Sequence, residues 1–213
     1  MIEILAILLL LVLFGIGIFF LYYYFVFARD PVRSAPPGNN IVAPTDGTIS
    51  AVLEVGKGVV KIPKGYLGKI RTISSDVHSS CYLISIVMTP LDVHFQRAPC
   101  DGKVLSIVYK KGKFLNAVSG ASDLKATLEN ESNEILFSSP KLGRFKVIQI
   151  AGFLARRINC FVQPGKSVKK GEKIGFINLG SQVTLIIPKK RIHLHARVGD
   201  RVYGGLTIIA DLV

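Results

Sequence analysis

Ser181 follows Gly180 between two apolar stretches, residues 174–177 and 183–187. A Gly-Ser pair is also a commonplace turn, so it carries no weight alone. A serine hydroxyl becomes a nucleophile only when a base takes its proton, and an imidazole near neutral pKa suits that task. A carboxylate that fixes the imidazole tautomer and stabilises its charged form completes such a set. The chain has four histidines: His78, His94, His193 and His195. His193 and His195 alternate as on one strand face and could ligate a metal, but no third ligand accompanies them, so no metal centre is expected. Asp92 precedes His94 by two residues. Asp46 sits in Pro44-Thr-Asp46-Gly47, where aspartate is common for turn geometry alone. Arg156-Arg157 and Lys189-Lys190-Arg191 read as solvated basic edges.

Longer blocks set these residues in context. Met88-Thr-Pro-Leu-Asp92-Val-His94-Phe-Gln-Arg97-Ala-Pro-Cys-Asp101-Gly resembles the histidine motif of phosphatidylserine decarboxylases. Phe27-Ala-Arg-Asp-Pro31, Pro44-Thr-Asp46-Gly47, Gly112-Lys-Phe-Leu-Asn-Ala117 and Glu129-Asn-Glu131 resemble further blocks of that family. So do Ile150-Ala-Gly-Phe-Leu-Ala-Arg-Arg157 and Gly175-Phe-Ile-Asn-Leu-Gly180-Ser181. They occur in the family's order, and the compact length is similar to its short bacterial and archaeal branch, which includes archaetidylserine decarboxylases.

The resemblance implies a lipid carboxy-lyase made as a proenzyme. Ser181 Oγ would attack the Gly180 carbonyl, the chain would break into a β chain of residues 1–180 and an α chain of residues 181–213, and Ser181 would become a pyruvoyl group. That ketone is the electron sink for loss of CO₂ from the serine headgroup of phosphatidylserine or archaetidylserine. Carried onto this chain, the catalytic residues are Ser181, His94 as base and proton donor, and Asp46 as the partner of His94. Asp92 is the reserve carboxylate and Arg97 a supporting residue. There are two departures: Arg97 stands where many members have a second histidine, and Ser132 replaces the arginine usual after the Asn-Glu pair.

The elements that must position these residues read as mostly β. Short β-branched runs at Ile41-Val42 and over residues 48–55, 81–88 and 103–109 are separated by Gly, Pro and Asp clusters. Helical periodicity is confined to residues 120–128. Two internal echoes stand out. Ala43-Pro-Thr-Asp-Gly-Thr-Ile49 returns as Ala98-Pro-Cys-Asp-Gly-Lys-Val104. Gly165-x-x-Val168-x-x-Gly171-x-x-Ile174 returns 34 residues later as Gly199-x-x-Val202-x-x-Gly205-x-x-Ile208. The second pattern resembles the turns of lipoyl-like barrel-sandwich folds, and its glycines serve the scaffold. The fold class expected is one mainly β (α+β) domain with a barrel-sandwich core. A non-catalytic lipoyl-like membrane adaptor is the rival reading; the lysine tip that a carrier needs is lacking.

Ahead of that domain, residues 4–27 run 24 residues without a charge. As a helix this segment is about 36 Å long, enough for a hydrocarbon core of roughly 30 Å. A signal peptide would have a shorter apolar region preceded by positive charge, whereas Glu3 precedes this one. The expected organisation is a transmembrane anchor over 1–27, a linker over 28–40 and the decarboxylase domain over 41–213. Arg29 and Arg33 place the domain on the cytoplasmic side of a cell membrane crossed once. All 27 Lys and Arg lie beyond the span against 13 of the 14 acidic residues, a net charge of +14. Such a charge suits an anionic lipid surface; nucleic acid is not expected, since Phe and Tyr concentrate in the span rather than among the basic residues. Cys81, Cys100 and Cys160 are an odd, scattered set that reads as free thiols. Whether the chain forms a homodimer is left open by the residues.

Overall fold

The computed structural model describes residues 2–56, 67–112, 127–152, 157–178 and 181–213. It opens on helix α1 (Ile2–Tyr22), which widens into a π-helical turn over Tyr23–Phe27. Side chains 3–21 are all exposed, and the helix with its turn is long and apolar enough to cross a bilayer. Phe27 differs: it is 1% exposed and packs into the domain.

Among the described residues the domain has fourteen strands and one further helix. In chain order these are β1 (Asn40–Val42), β2 (Gly47–Val55), α2 (Leu67–Ser74), β3 (Cys81–Val87), β4 (Phe95–Arg97), β5 (Gly102–Lys110), β6 (Ser132–Ser139) and β7 (Gly143–Ile150). They continue with β8 (Ile158–Cys160), β9 (Ser167–Val168), β10 (Lys173–Ile177), β11 (Gln182–Pro188), β12 (Ile192–Leu194), β13 (Arg201–Val202) and β14 (Ile208–Leu212). The main sheet has eight antiparallel strands in the order β13-β2-β3-β11-β7-β6-β5-β9. Two small sheets, β1-β14-β12 and β4-β10-β8, flank it.

Both faces of the main sheet's centre are buried, which explains the unbroken apolar run in β11. Val183, Leu185 and Ile187 face one core with Ile84, Ile86, Val147 and Phe145. Ile186 faces the other with Leu83, Ile148 and Ile150. Ile70 and Ile73 of α2 and Val77 after it cover that second face. Helix α2 was not expected from the sequence. It offers three apolar positions, Leu67, Ile70 and Ile73, among Gly68, Thr72 and Ser74, and its helical state comes from docking on the sheet rather than from propensity. Of the helical stretch expected at 120–128, residues 120–126 lie outside the described residues, and 127–129 form one helical turn.

The two sequence echoes pair crosswise. The first Ala-Pro-x-Asp-Gly turn receives the second glycine repeat: the Gly205 N–H donates to Ala43 O (2.8 Å), the Gly199 N–H to Ile49 O (2.8 Å), and β13 pairs with the start of β2. The second turn receives the first glycine repeat through equivalent bonds, Gly171 N–H to Ala98 O (2.9 Å) and Gly165 N–H to Val104 O (2.9 Å), with β9 on β5. All four glycines have φ between 78° and 94°, the left-handed region in which a Cβ is strained. This pseudo-twofold frame fixes β4 and the turn before β2, and so the residues around His94.

Candidate functional site

The residues Met88 to His94 connect β3 to β4, and Ile177 to Ser181 connect β10 to β11. Two backbone bonds tie these connections together, one at each end: Met88 N–H donates to Ser181 O (3.0 Å) and Ile177 N–H to His94 O (3.3 Å). His94 and Ser181 therefore lie on two connections that are hydrogen-bonded to one another, and both are fully buried. Leu179 and Gly180 lie outside the described residues, so the expected cleavage bond is bracketed by Asn178 and Ser181.

His94 is held from three directions. Its Nδ1 lies 2.8 Å from the Asp92 carbonyl oxygen, so in the neutral ring Nδ1 carries the proton and Nε2 keeps its lone pair. Its own carbonyl accepts from Gln96 Nε2 (2.7 Å), whose Oε1 accepts from Gln149 Nε2 (2.8 Å), whose Oε1 accepts from Asn133 Nδ2 (2.9 Å). This row of buried amides roots the loop in β6 and β7. It also explains Gly175, where a Cβ would lie 2.3 Å from Gln149 Nε2. On the third side Phe27 stacks against the imidazole at 4.2 Å between ring centres. Burial pushes the His94 pKa down, the Asp92 carbonyl, Asp92 and Asp46 charges oppose this, and the Arg29 charge adds to it; the result lies below the ordinary value.

Two buried atoms here stand out. Among the described residues, His94 Nε2 and Ser181 Oγ have no hydrogen-bond partner, and neither does Gln182 Oε1. Buried polar atoms are nearly always paired, and an unpaired base nitrogen and an unpaired hydroxyl on two joined connections have the chemistry of a nucleophile and its base.

Asp46 meets His94 through its charge rather than through a hydrogen bond. Its carboxylate forms a two-pronged ion pair with Arg33, at 2.5 and 2.8 Å, and accepts the Gly204 N–H at 2.8 Å. It makes no hydrogen bond to His94, whose Nδ1 is already taken by the Asp92 carbonyl. The repeat explains why: Asp101, its counterpart in the second turn, accepts the Lys170 N–H at the same distance, 2.8 Å. Both aspartates close the same turn. What is particular to Asp46 is Arg33.

Asp92 does orient His94, but through its backbone. Its carboxylate accepts the Thr89 N–H (2.7 Å) and hydroxyl (2.9 Å) and pairs with Arg201. Burial pushes this carboxyl up, yet the Arg201 and Thr89 hydrogen bonds win and hold it below the ordinary value. Arg97 is a tie rather than a second base. Its guanidinium bonds Gly171 O (3.0 Å) and Asp30 (2.8 Å), and Asp30 also meets Lys173 at 2.6 Å. Burial pulls the Arg97 pKa below its ordinary value. The segment over 28–40 is thus strapped to the domain.

The remaining candidates lie elsewhere. His195 Nε2 pairs with Asp211 (2.8 Å) beside His193 at the β12–β14 edge. Cys81 and Cys100 are buried free thiols, which burial pushes up to about 11 and about 12; Cys160 is free and half-buried. Ser132 is buried at the head of β6. Sequence reasoning missed Phe27, Gln96, Gln149 and the Asp92 carbonyl. Phe27 had a signal, since it opens the Phe-Ala-Arg-Asp-Pro block.

Comparison with known proteins agrees with this geometry. The chain is 38% identical over 188 residues to a Methanocaldococcus jannaschii protein provisionally named archaetidylserine decarboxylase proenzyme, covering 86% of this chain and 87% of that one. It is 37% identical over 201 residues to the phosphatidylserine decarboxylase proenzyme of Carboxydothermus hydrogenoformans, covering 93% and 84%. It is 36% identical over 187 residues to that of a Wolbachia from Brugia malayi, covering 87% and 74%. The phosphatidylserine decarboxylase family profile matches residues 19–210, a range that includes Phe27, His94 and Ser181, and the chain belongs to this family.

Proposed function

We propose that the chain is a proenzyme that cleaves itself between Gly180 and Ser181 and then decarboxylates the serine headgroup of a membrane phospholipid. The observation that carries this is the pair of buried, unpartnered atoms, Ser181 Oγ and His94 Nε2, on two connections that are hydrogen-bonded to each other. Neutral His94 takes the Ser181 hydroxyl proton on Nε2 while Nδ1–H stays on the Asp92 carbonyl. The alkoxide attacks the Gly180 carbonyl carbon, the Gly180–Ser181 amide bond breaks, and the proton on Nε2 goes to the departing Ser181 nitrogen. The product is an ester. Removal of the Ser181 Cα proton expels the Gly180 carboxylate, and water replaces the enamine nitrogen as ammonia, leaving residue 181 as a pyruvoyl ketone. Ser181 fits that fate, because its Oγ has no structural partner to lose. The ketone, once formed, supplies the electron sink for CO₂ release. His94 Nε2, facing it, delivers a proton to the headgroup carbon that has lost its carboxylate.

The lipid substrate gives α1 its role. We read it as a single-pass anchor that sets the domain on the cytoplasmic face, with the +14 of the chain beyond the span facing anionic headgroups. The relatives' names differ in lipid backbone, but the headgroup chemistry is the same for both. We also read the crosswise repeats as a lipoyl-like barrel-sandwich frame; the non-catalytic adaptor reading leaves the unpartnered Ser181 and His94 atoms without a purpose. The test is a gel time course of freshly made His94→Ala protein, with circular dichroism to verify folding. Loss of a general base costs about 10²–10⁴ in rate, so the folded variant stays uncleaved for hours. Cleavage at the normal rate would place the base elsewhere.

A further inference from the structure

We infer that the segment ending α1 is a working part of the catalytic site, with Phe27 as a positioning residue for His94. This rests on the reading of His94 as base, and it gives the anchor a second task beyond tethering.

The contacts leave no slack. The π-helical turn is closed by Ala28 N–H to Tyr23 O at 2.8 Å, and such widened turns recur at functional sites. It ends on Phe27, whose ring meets both His94 (4.2 Å, 40° between planes) and Phe176 (5.8 Å, 83°). On one side the Tyr22 hydroxyl donates to Pro90 O (2.8 Å). On the other, Arg29 donates to Leu91 O (2.6 Å) and to Val26 O. Residues 22–29 are thus fastened to the loop that carries His94, and the Asp30–Arg97 and Arg33–Asp46 pairs fasten the chain beyond. A tether needs none of this. Phe27 covers the ring that must stay dry and correctly turned to act on Ser181. A misplacement of about 1 Å at such a group can cost 10²-fold.

Self-cleavage separates the two tasks, because it uses no lipid. In detergent an anchor that only tethers cannot affect it. The charged groups facing His94 are Asp92 from its own loop, held by Arg201, Arg29 beyond the π turn and Asp46 from the β1–β2 turn; Phe27 substitutions leave all of them in place. Full-length Phe27→Ala, made in detergent and followed by gel over a pH series, should cleave between about 10- and 100-fold more slowly. Its rate midpoint should move up toward the ordinary imidazole value of about 6.5, as water reaches the ring. Phe27→Leu, which keeps the cover, should recover most of both. If the alanine variant does not fold, Phe27→Leu and Phe27→Val grade the same cover, and the midpoint must rise in the order Phe, Leu, Val. A wild-type rate in Phe27→Ala, or a slower rate with an unmoved midpoint, overturns the inference. Normal cleavage by His94→Ala would instead overturn the reading of His94, so the two failures are distinct.

Discussion

At the scale of residues, the site uses backbone where a side chain was expected. The hydrogen-bond partner of His94 Nδ1 is a peptide carbonyl, that of Asp92, while the Asp46 carboxylate acts on the ring through its charge. A carbonyl acceptor is common to all residues and leaves no mark in a sequence, so it could not be read there. Ser181 and His94 could be singled out in the sequence as candidates, because the family's blocks contain them. Asp46 was legible as a block residue but not in its role, since aspartate in a Pro-x-Asp-Gly turn serves geometry and chemistry alike. Two outcomes follow. In the proposed cleavage the neutral imidazole is the active form, and burial depresses its pKa, so cleavage should be full at neutral pH and fall only as pH drops below about 6.5, with a midpoint under that value. A gel time course across pH 4 to 8 measures it. Asp46→Asn keeps the turn but strands Arg33, whose side chain is 7% exposed. Breaking a buried pair in this way costs about 3 kcal/mol or more, whereas Asp101→Asn, at the exposed counterpart, should cost under about 1 kcal/mol. Denaturant unfolding of the two variants compares them. An Asp46→Asn protein of wild-type stability that fails to cleave would restore Asp46 to direct catalysis.

At the scale of elements, the segment over 28–40 is more than a linker. Composition alone, three prolines and a glycine, describes it as a spacer, and composition cannot show that Asp30 and Arg33 find partners in β4 and in the turn before β2. Those partners are distant in sequence and exist only once the sheet has formed. Most strands were legible, since their β-branched runs are dense; α2 was not, because a short helix with few apolar residues suffices when a sheet face supplies the rest. A chain starting at Ile41 should therefore cleave itself at least about tenfold more slowly than the full chain, having lost Phe27 and the Arg33 pair. One starting at Leu21, which lacks nearly all of the span but keeps the turn and its straps, should cleave at close to the full rate. Equal rates for both truncations, read on a denaturing gel, would show the straps to be dispensable.

At the scale of the whole molecule, the sheet order makes self-cleavage compatible with a stable fold. The piece beginning at Ser181 contributes β11, buried along its whole length between β3 and β7, and also β12, β13 and β14. The crosswise repeats interleave it further, since β13 closes on β2. Breaking one bond ahead of β11 leaves its burial and its hydrogen-bond ladders intact. The pairing of the echoes was visible in the sequence as two repeats; their crossing was not, because identical spacing fits either partner.

Intact mass under native and denaturing conditions tests the central claim most directly. The purified protein should run as one particle under native conditions. On denaturation it should give two masses, residues 1–180 and a blocked piece of residues 181–213 of about 3.6 kDa at roughly 110 Da per residue, the latter ending in a ketone that carbonyl reagents label. A protein that decarboxylates lipid while remaining a single chain of 23.2 kDa would contradict the account.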